Sequence, residues 1–333
     1  MLELKKNSLV FSFPDVHPAA KLTVTFQRTL RIPDDERTYP LPPGLGDFPL
    51  RHVDDYADSV PSLWLDRGGV IMPMYQSEAM WVHFRSVVID GQGTYPFAVK
   101  IATGKINAVS GEAWTNGLNR SPQDYVAVPR QPWLDGYCVK KGVIRQFVAM
   151  PLGQGFSAEE QITGESEFGG LQIIAYPLKR AAFEKHFPAR IRRKRATPKM
   201  AKAPRYARAM GLAPGGQMRQ EIYDDPYEPK EWDATESSRC FVHITNSEDW
   251  QSINGMKPPT KPMTAKNYSK AGLPWFEHYG DPACTVAGSA ALNGLKSVVQ
   301  KLSGSALPDN ESVAPSKIIV CKPSPDAVRD GDF

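Results

Sequence analysis

Residues 143–178 read VIRQFVAMPLGQGFSAEEQITGESEFGGLQIIAYPL, and this stretch decides the fold class. Val143, Arg145 and Phe147 alternate with Ile144, Gln146 and Val148, the period-two pattern of a strand. Pro151-Leu152-Gly153-Gln154-Gly155 ends it, since proline lacks an amide donor and glycine frees the backbone to turn. Ser157 followed by Glu160 forms a capping box, in which hydroxyl and carboxylate each satisfy an amide that the first helical turn leaves open. That helix has room for two turns before Gly164. A parallel crossover needs a dozen or more residues, so this one does not join a parallel pair. Leu171 to Leu178 then resumes an extended pattern.

Toward the N-terminus the same grammar repeats. Leu22, Val24 and Phe26 alternate with Thr23, Thr25 and Gln27, and Pro33-Asp34-Asp35 turns the chain. Val70–Tyr75, Met80–Ile89 and Phe97–Ala102 are rich in β-formers, with turns at Gly91, Gly93 and Thr103-Gly104-Lys105. Residues 1–184 therefore read as a β-rich domain, a sandwich or partly open barrel. Residues 209–333 read differently. Cys240–Thr245 is an expected strand, Ser247 the N-cap of a helix through Trp250, Val286–Leu302 the longest helix and Ile318–Cys321 a closing strand. The Pro-rich stretch 257–274 is expected to run over the surface or against the first half. This second part reads as a smaller α+β domain, which makes the fold class mixed.

Between the halves lies KHFPARIRRKRATPKMAKAPRYAR, residues 185–208, with ten Lys or Arg and no acid. A chain of 333 residues exceeds the roughly 250–300 at which single cores stop growing, so the segment reads as a linker or arm between two domains. The formal charge is +4, but without those ten cations 30 basic residues face 36 acidic ones, a remainder of −6. Positive charge is therefore local. Arg190, Arg192, Arg193, Lys194, Arg195, Lys199, Lys202, Arg205 and Arg208 are the expected contacts to a polyanion or partner, and Asp224, Asp225, Glu228, Glu231 and Asp233 a candidate acidic counter-surface.

Several chemistries lack their signatures. The N-terminus has no uninterrupted apolar export stretch and no window holds 18 apolar residues, so the reading is a cytoplasmic protein without a membrane span. Cys138, Cys240, Cys284 and Cys321 form no C-x-x-C pair and read as reduced, mostly buried thiols. The six histidines, His17, His52, His83, His186, His243 and His278, show neither H-x-H nor H-E-x-x-H spacing. No metal and no cofactor is expected. Cys138, after the Asp135-Gly136 turn, is a nucleophile candidate by chemistry alone.

Three further constellations carry a functional and a structural reading each. Gly153-x-Gly155 ahead of Ser157 can present helix amides to a phosphate, but the third glycine is missing and Glu159 and Glu160 would repel an anion, which favours a structural turn. The acidic run 224–233 can hold a hard cation, but Pro226 and Pro229 stiffen it and it lacks the glycine and alternating oxygens of an EF-hand, which favours a solvated loop. Trp64-Leu65-Asp66 and Trp133-Leu134-Asp135 echo one another, and with Trp275 and Phe276 they can stack on sugars or bases; packing is the simpler role for tryptophan.

The strings RTLRIPDDERTYPLPPGLG (28–46), QPWLDG (131–136) with IRQFVAMPLGQG (144–155), MGLAPGGQMRQEIYDDPY (210–227) and AGLPWFEHYG (271–280) span both halves. Together they resemble a family of uncharacterised bacterial proteins, some bearing a loose membrane-protein label. The resemblance implies no activity, catalytic residue or fold, and no spanning segment here answers to the label.

The leading functional expectation is a non-catalytic binding or assembly protein, whose basic arm docks on an acidic surface of itself, of another copy in a homo-oligomer or of another protein. One alternative is an enzyme with a site at the domain junction, for which Glu165, Glu167, His243 and Asp135 are the first places to look. The other is sequence-independent binding of nucleic acid or another polyanion, although only Phe187 and Tyr206 can stack within the segment.

Overall fold

The computed structural model describes residues 1–35, 37–188, 209–278, 284–303 and 307–321. Its framework is one large, mostly antiparallel sheet. Eleven of its seventeen strands among the described residues suffice to trace it: β1 (Leu2–Lys5), β2 (Ser8–Ser12), β3 (Lys21–Thr29), β4 (Val70–Met74), β5 (Ala79–Ser86), β6 (Phe97–Thr103), β7 (Val126–Val128), β8 (Val143–Pro151), β9 (Leu171–Pro177), β10 (Ala209–Arg219) and β11 (Ser238–Asn246). Ten of them pair antiparallel in the order β1-β2-β3-β5-β8-β10-β11-β9-β6-β7. β4 joins β11 in parallel, with Val70 opposite Val242 and Met74 opposite Asn246.

That order bears directly on the expected division of the chain. β8 and β9 lie before the basic segment and β10 and β11 after it, yet β8 pairs with β10 and β9 with β11. A continuous core follows the ladder, with Phe11, Phe26, Phe97, Phe147, Ile173, Leu212, Val242 and Trp275 all buried. The split into a β-rich body and a separate α+β body is thus not confirmed. The physical reason is simple: the strands on either side of residues 185–208 complete each other's hydrogen bonds, which neither half alone would satisfy.

The expected alternation holds in β3, where Leu22, Val24 and Phe26 are fully buried. In β8 it does not separate inside from outside, because Arg145 and Gln146 are buried beside their apolar neighbours. Gln146 compensates by acting as a short stretch of backbone: its Nε2 donates to Leu30 O at 2.9 Å and its Oε1 accepts from Ile32 N at 3.1 Å. The expected short helix is α2 (Ala158–Thr163), after α1 (Ser62–Arg67); its Ser157–Glu160 capping box is formed and Gly164 ends it in the left-handed conformation.

The C-terminal expectations need correction. Ser247 is not an N-cap; it is buried, and α4 (Trp250–Asn254) begins at Asp249, following α3 (Arg180–His186). Residues 257–274 run outside the sheet as expected but include α5 (Ala265–Lys270), capped by Thr264. Val286–Leu302 is not one helix. It divides into α6 (Ala290–Asn293) and α7 (Val298–Leu302), because Gly294 caps the first and a Ser297–Gln300 capping box starts the second. β12 (Trp275–His278) and β13 (Ile318–Cys321) pair in parallel as a separate small sheet, and β12 bridges to Leu41. The tryptophan tripeptides are not a structural repeat: Trp64 lies in α1, whereas Trp133-Leu134 forms a short strand against β5.

Candidate functional site

Residues 189–208 lie outside the described residues, and with them Arg190, Arg192, Arg193, Lys194, Arg195, Lys199, Lys202, Arg205 and Arg208. The start of the basic segment is in place. α3 carries Lys185 and His186 in its last turn, where cations complement the helix dipole. Lys185 Nζ donates to Glu231 Oε1 at 2.9 Å, and His186 Nε2 lies 3.0 Å from both carboxylate oxygens. At the other end of α3, Lys179 N donates to Glu231 O and Lys179 Nζ to Lys230 O, so the helix is fastened to the acidic run at both ends. The Lys185 ammonium holds the Glu231 carboxyl down at about 2, against a smaller opposing effect of burial.

The other carboxylates of the run have separate occupations. Asp225 is buried and accepts from Tyr125 Oη at 2.5 Å, Trp232 Nε1 at 2.7 Å and Tyr227 N at 2.9 Å. Asp233 accepts from Thr235 and Glu236 in its own turn. Glu228 pairs with Lys230 at 2.6 Å. Asp224 is exposed. Aromatic side chains line the same place: His186 meets Tyr227 edge-on with ring centres 5.3 Å apart, and Tyr227 meets Trp232 at 5.2 Å.

The phosphate reading of the Gly153-x-Gly155 turn meets an occupied site. Gly155 N donates to Glu160 Oε1 at 2.7 Å and Ser157 N to Glu160 Oε2 at 2.9 Å, so the protein's own carboxylate takes the amides an anion would need. Glu159 fills a second nest. It is buried, and accepts from the backbone amides of Glu167, Phe168 and Gly169 at 2.7–3.0 Å. Gly104 makes room for it: a Cβ there would stand 2.3 Å from Glu159 Oε2, and its φ is +52°. Burial nevertheless outweighs the three amides and raises the carboxyl above its ordinary value.

The residues singled out for catalysis sit in separate surroundings. Asp135 is buried with neutral partners alone: Gln220 Nε2 donates to it at 2.5 Å and the Trp133 indole contributes a second bond, so burial pushes it up to about 7. His243 is sandwiched between Trp64 and Phe241, ring centres 4.6 and 4.4 Å away, and its Nε2 donates to Gly68 O at 2.9 Å. Burial lowers it to about 4, which keeps it neutral at physiological pH. Glu167 is exposed and pairs with Arg67 at 3.2 Å, and Glu165 is exposed nearby. The buried Cys138 and Cys240 thiols are pushed up to about 12, away from the reactive thiolate. Among the described residues no three His, Cys, Asp or Glu side chains gather as metal ligands.

One cavity had no signal in the sequence. It encloses about 410 Å3 at the end of the sheet where β4, β8 and β11 finish, between the Tyr75–Glu78 turn, residues 261–265 and residues 307–309. Its floor includes Met150 and Leu307, and its polar lining includes Arg31, Lys261, Glu78 and Glu248. Glu78 is wholly buried and committed to Arg28, with the guanidinium 2.7 Å away and Tyr75 N donating at 2.9 Å. The lining residues are drawn from positions 31 to 309 of the chain and share no motif. No helix among the described residues is long and apolar enough to cross a membrane. Comparison with protein-family models, characterised proteins and solved structures returns no match for this chain.

Proposed function

We propose that this chain is a binding and assembly protein whose basic segment docks on an acidic protein surface. The observation that carries the reading is the seat of Lys185 and His186 on Glu231, which places the beginning of the segment against the acidic run. Charge bookkeeping then assigns the rest. Nine further cations follow Lys185, while Asp225 and Asp233 are consumed locally, Glu231 is taken and Glu228 is shared with Lys230. The run therefore cannot answer the segment alone, and the remaining positive charge is left for an acidic surface on a second copy or another protein.

The test replaces Arg192, Arg193, Lys194 and Arg195 by Ser and follows particle mass by sedimentation, with and without a short fluorescent oligonucleotide at two salt concentrations. Docking predicts a smaller assembly, or lost partner capture, for the variant and little oligonucleotide binding by the parent. Steep, salt-sensitive oligonucleotide binding with an unchanged assembly would instead assign the segment to polyanions.

A further inference from the structure

Residues 257–263, KPPTKPM, supply one wall of the cavity through Lys261, Pro262 and Met263, and they do so with little backbone support. Pro258, Pro259 and Pro262 have no amide to donate and fix φ, which stiffens the segment. Among the described residues, none of its other amides donates a hydrogen bond. Two side chains of the sheet hold it instead. Tyr75 Oη donates to Pro259 O at 2.7 Å, and Arg28 Nη2 donates to Thr260 O. Lys261 adds a weaker contact, with Nζ 5.4 Å from the centre of the Tyr75 ring.

Both holders converge on one carboxylate. Glu78 Oε1 accepts from Arg28 Nε at 2.8 Å, and Oε2 accepts from Tyr75 N at 2.9 Å. The Glu78 side chain is wholly buried and that of Arg28 is 11% exposed, so water competes little for the pair. Glu78 therefore fixes the guanidinium that reaches Thr260 and the backbone from which Tyr75 reaches Pro259. The turn that carries it is tied to β8, since Ala149 N donates to Glu78 O and Ser77 N to Ala149 O. The fastening belongs to the sheet, and what it fastens is a stiff segment with few other attachments.

The ends of the segment suit movement as a unit. Gly255 closes α4 with φ at +66°, and Thr264 caps α5 by accepting from Asn267 N at 3.1 Å, so the chain between them swings from two finished helices. Segments with so few bonds open locally at far less cost than the whole fold. Behind this one lies the apolar floor, Met150 and Leu307, at 2% and 7% exposure. The space of about 410 Å3 above it falls in the range of about 300–1,000 Å3 common to small-molecule sites.

We infer that residues 257–263 are a lid on this cavity, latched shut by Glu78 through Arg28 and Tyr75, and that its local opening admits a small molecule to the floor at Met150.

Slow oxidation of the full chain by hydrogen peroxide, followed by peptide mass spectrometry, tests this, because a thioether reacts when solvent reaches it and the rate then follows the open population. Met72 and Met218, fully buried in the main core, report global unfolding in the same sample, and Met263, 47% exposed, gives the rate of an open thioether. In the parent, Met150 should oxidise more slowly than Met263 and faster than Met72 and Met218. Tyr75→Phe removes one hydroxyl and keeps the ring; it should speed oxidation of Met150 about fivefold and leave Met72 and Met218 unchanged. Glu78→Gln loosens both holders and should have the larger effect on the ratio of Met150 to the two core methionines. If Met150 keeps pace with Met72 and Met218 in the parent and in Tyr75→Phe, the cavity opens only by global unfolding and there is no lid. A parent Met150 as reactive as Met263 would overturn the proposal from the other side, since nothing would then be latched.

Discussion

Asp135 and Glu231 have low overall exposure, 3% and 7%, and their carboxyls are shifted in opposite directions. Asp135 faces a glutamine amide and an indole, neither of which offers positive charge, and burial lifts it to about 7. Glu231 pairs with Lys185, itself 65% exposed, and with His186, and it is held at about 2. Glu159, with three backbone amides, stands between them and is still raised. Deep burial without a countercharge lifts the one carboxyl, and a cationic partner at a more open position holds the other down.

The larger effect belongs to Asp135. Its folded pKa lies above the unfolded value of about 3.9, so its stabilising contribution is full below that value and is lost as pH rises toward 7. The slope across this window is about 1.4 kcal/mol per pH unit. Asp135→Asn, which keeps the shape and cannot ionise, should flatten the loss and leave the variant on the order of 3 kcal/mol better placed relative to the parent at pH 8 than at pH 4. Thermal melts from pH 4 to 8 measure this; parallel curves for the two proteins would mean that Asp135 ionises normally.

Glu231 has the opposite sign. Its folded pKa is depressed, so its contribution is present above the ordinary carboxylate range and fades as pH falls from about 4.5 toward 2. Glu231→Gln should cost on the order of 2 kcal/mol at pH 7, the worth of a charge-assisted hydrogen bond. The difference between parent and variant should shrink below pH 4. A constant difference down to pH 2 would show that packing, and not charge, holds α3 to the run.

Much of the sheet was legible because strands announce themselves locally. The alternation at Leu22, Val24 and Phe26 and the capping box at Ser157 and Glu160 correspond to observed elements. The partners of those strands were not legible, because the pairing of β8 with β10 joins residues on either side of a segment that reads as a linker. Apolar spacing near Val286–Leu302 suggested one helix, but Gly294 and the Ser297 cap broke it, a case of local capping overriding periodicity. Of the two candidate sites, the acidic run was visible as a cluster of carboxylates. Its division into Asp225 turned inward and Glu231 turned toward Lys185 was not, since spacing along the run says nothing about which side chain meets Tyr125. The cavity left no trace at all, since its lining is gathered from segments as far apart as Arg31, Tyr75, Met150, Glu248 and Leu307.

The smallest expected effect sharpens the comparison most. Lys185 is a long, mostly exposed side chain, and such pairs contribute about 0–1 kcal/mol at neutral pH because solvent screens them and ordering the chain costs entropy. Lys185→Met should therefore change stability at pH 7 by about 0.5 kcal/mol, far less than Glu231→Gln. It should still move the acid limb, since the lysine is the largest single influence lowering the Glu231 carboxyl. Without it, the loss of stability on acidification should begin closer to pH 4.5, while Asp135→Asn leaves that limb untouched. If the limb stays where it is, the histidine and the Glu228 amide hold the carboxylate by themselves, and the seat of the basic segment is a helix cap in which lysine takes no part.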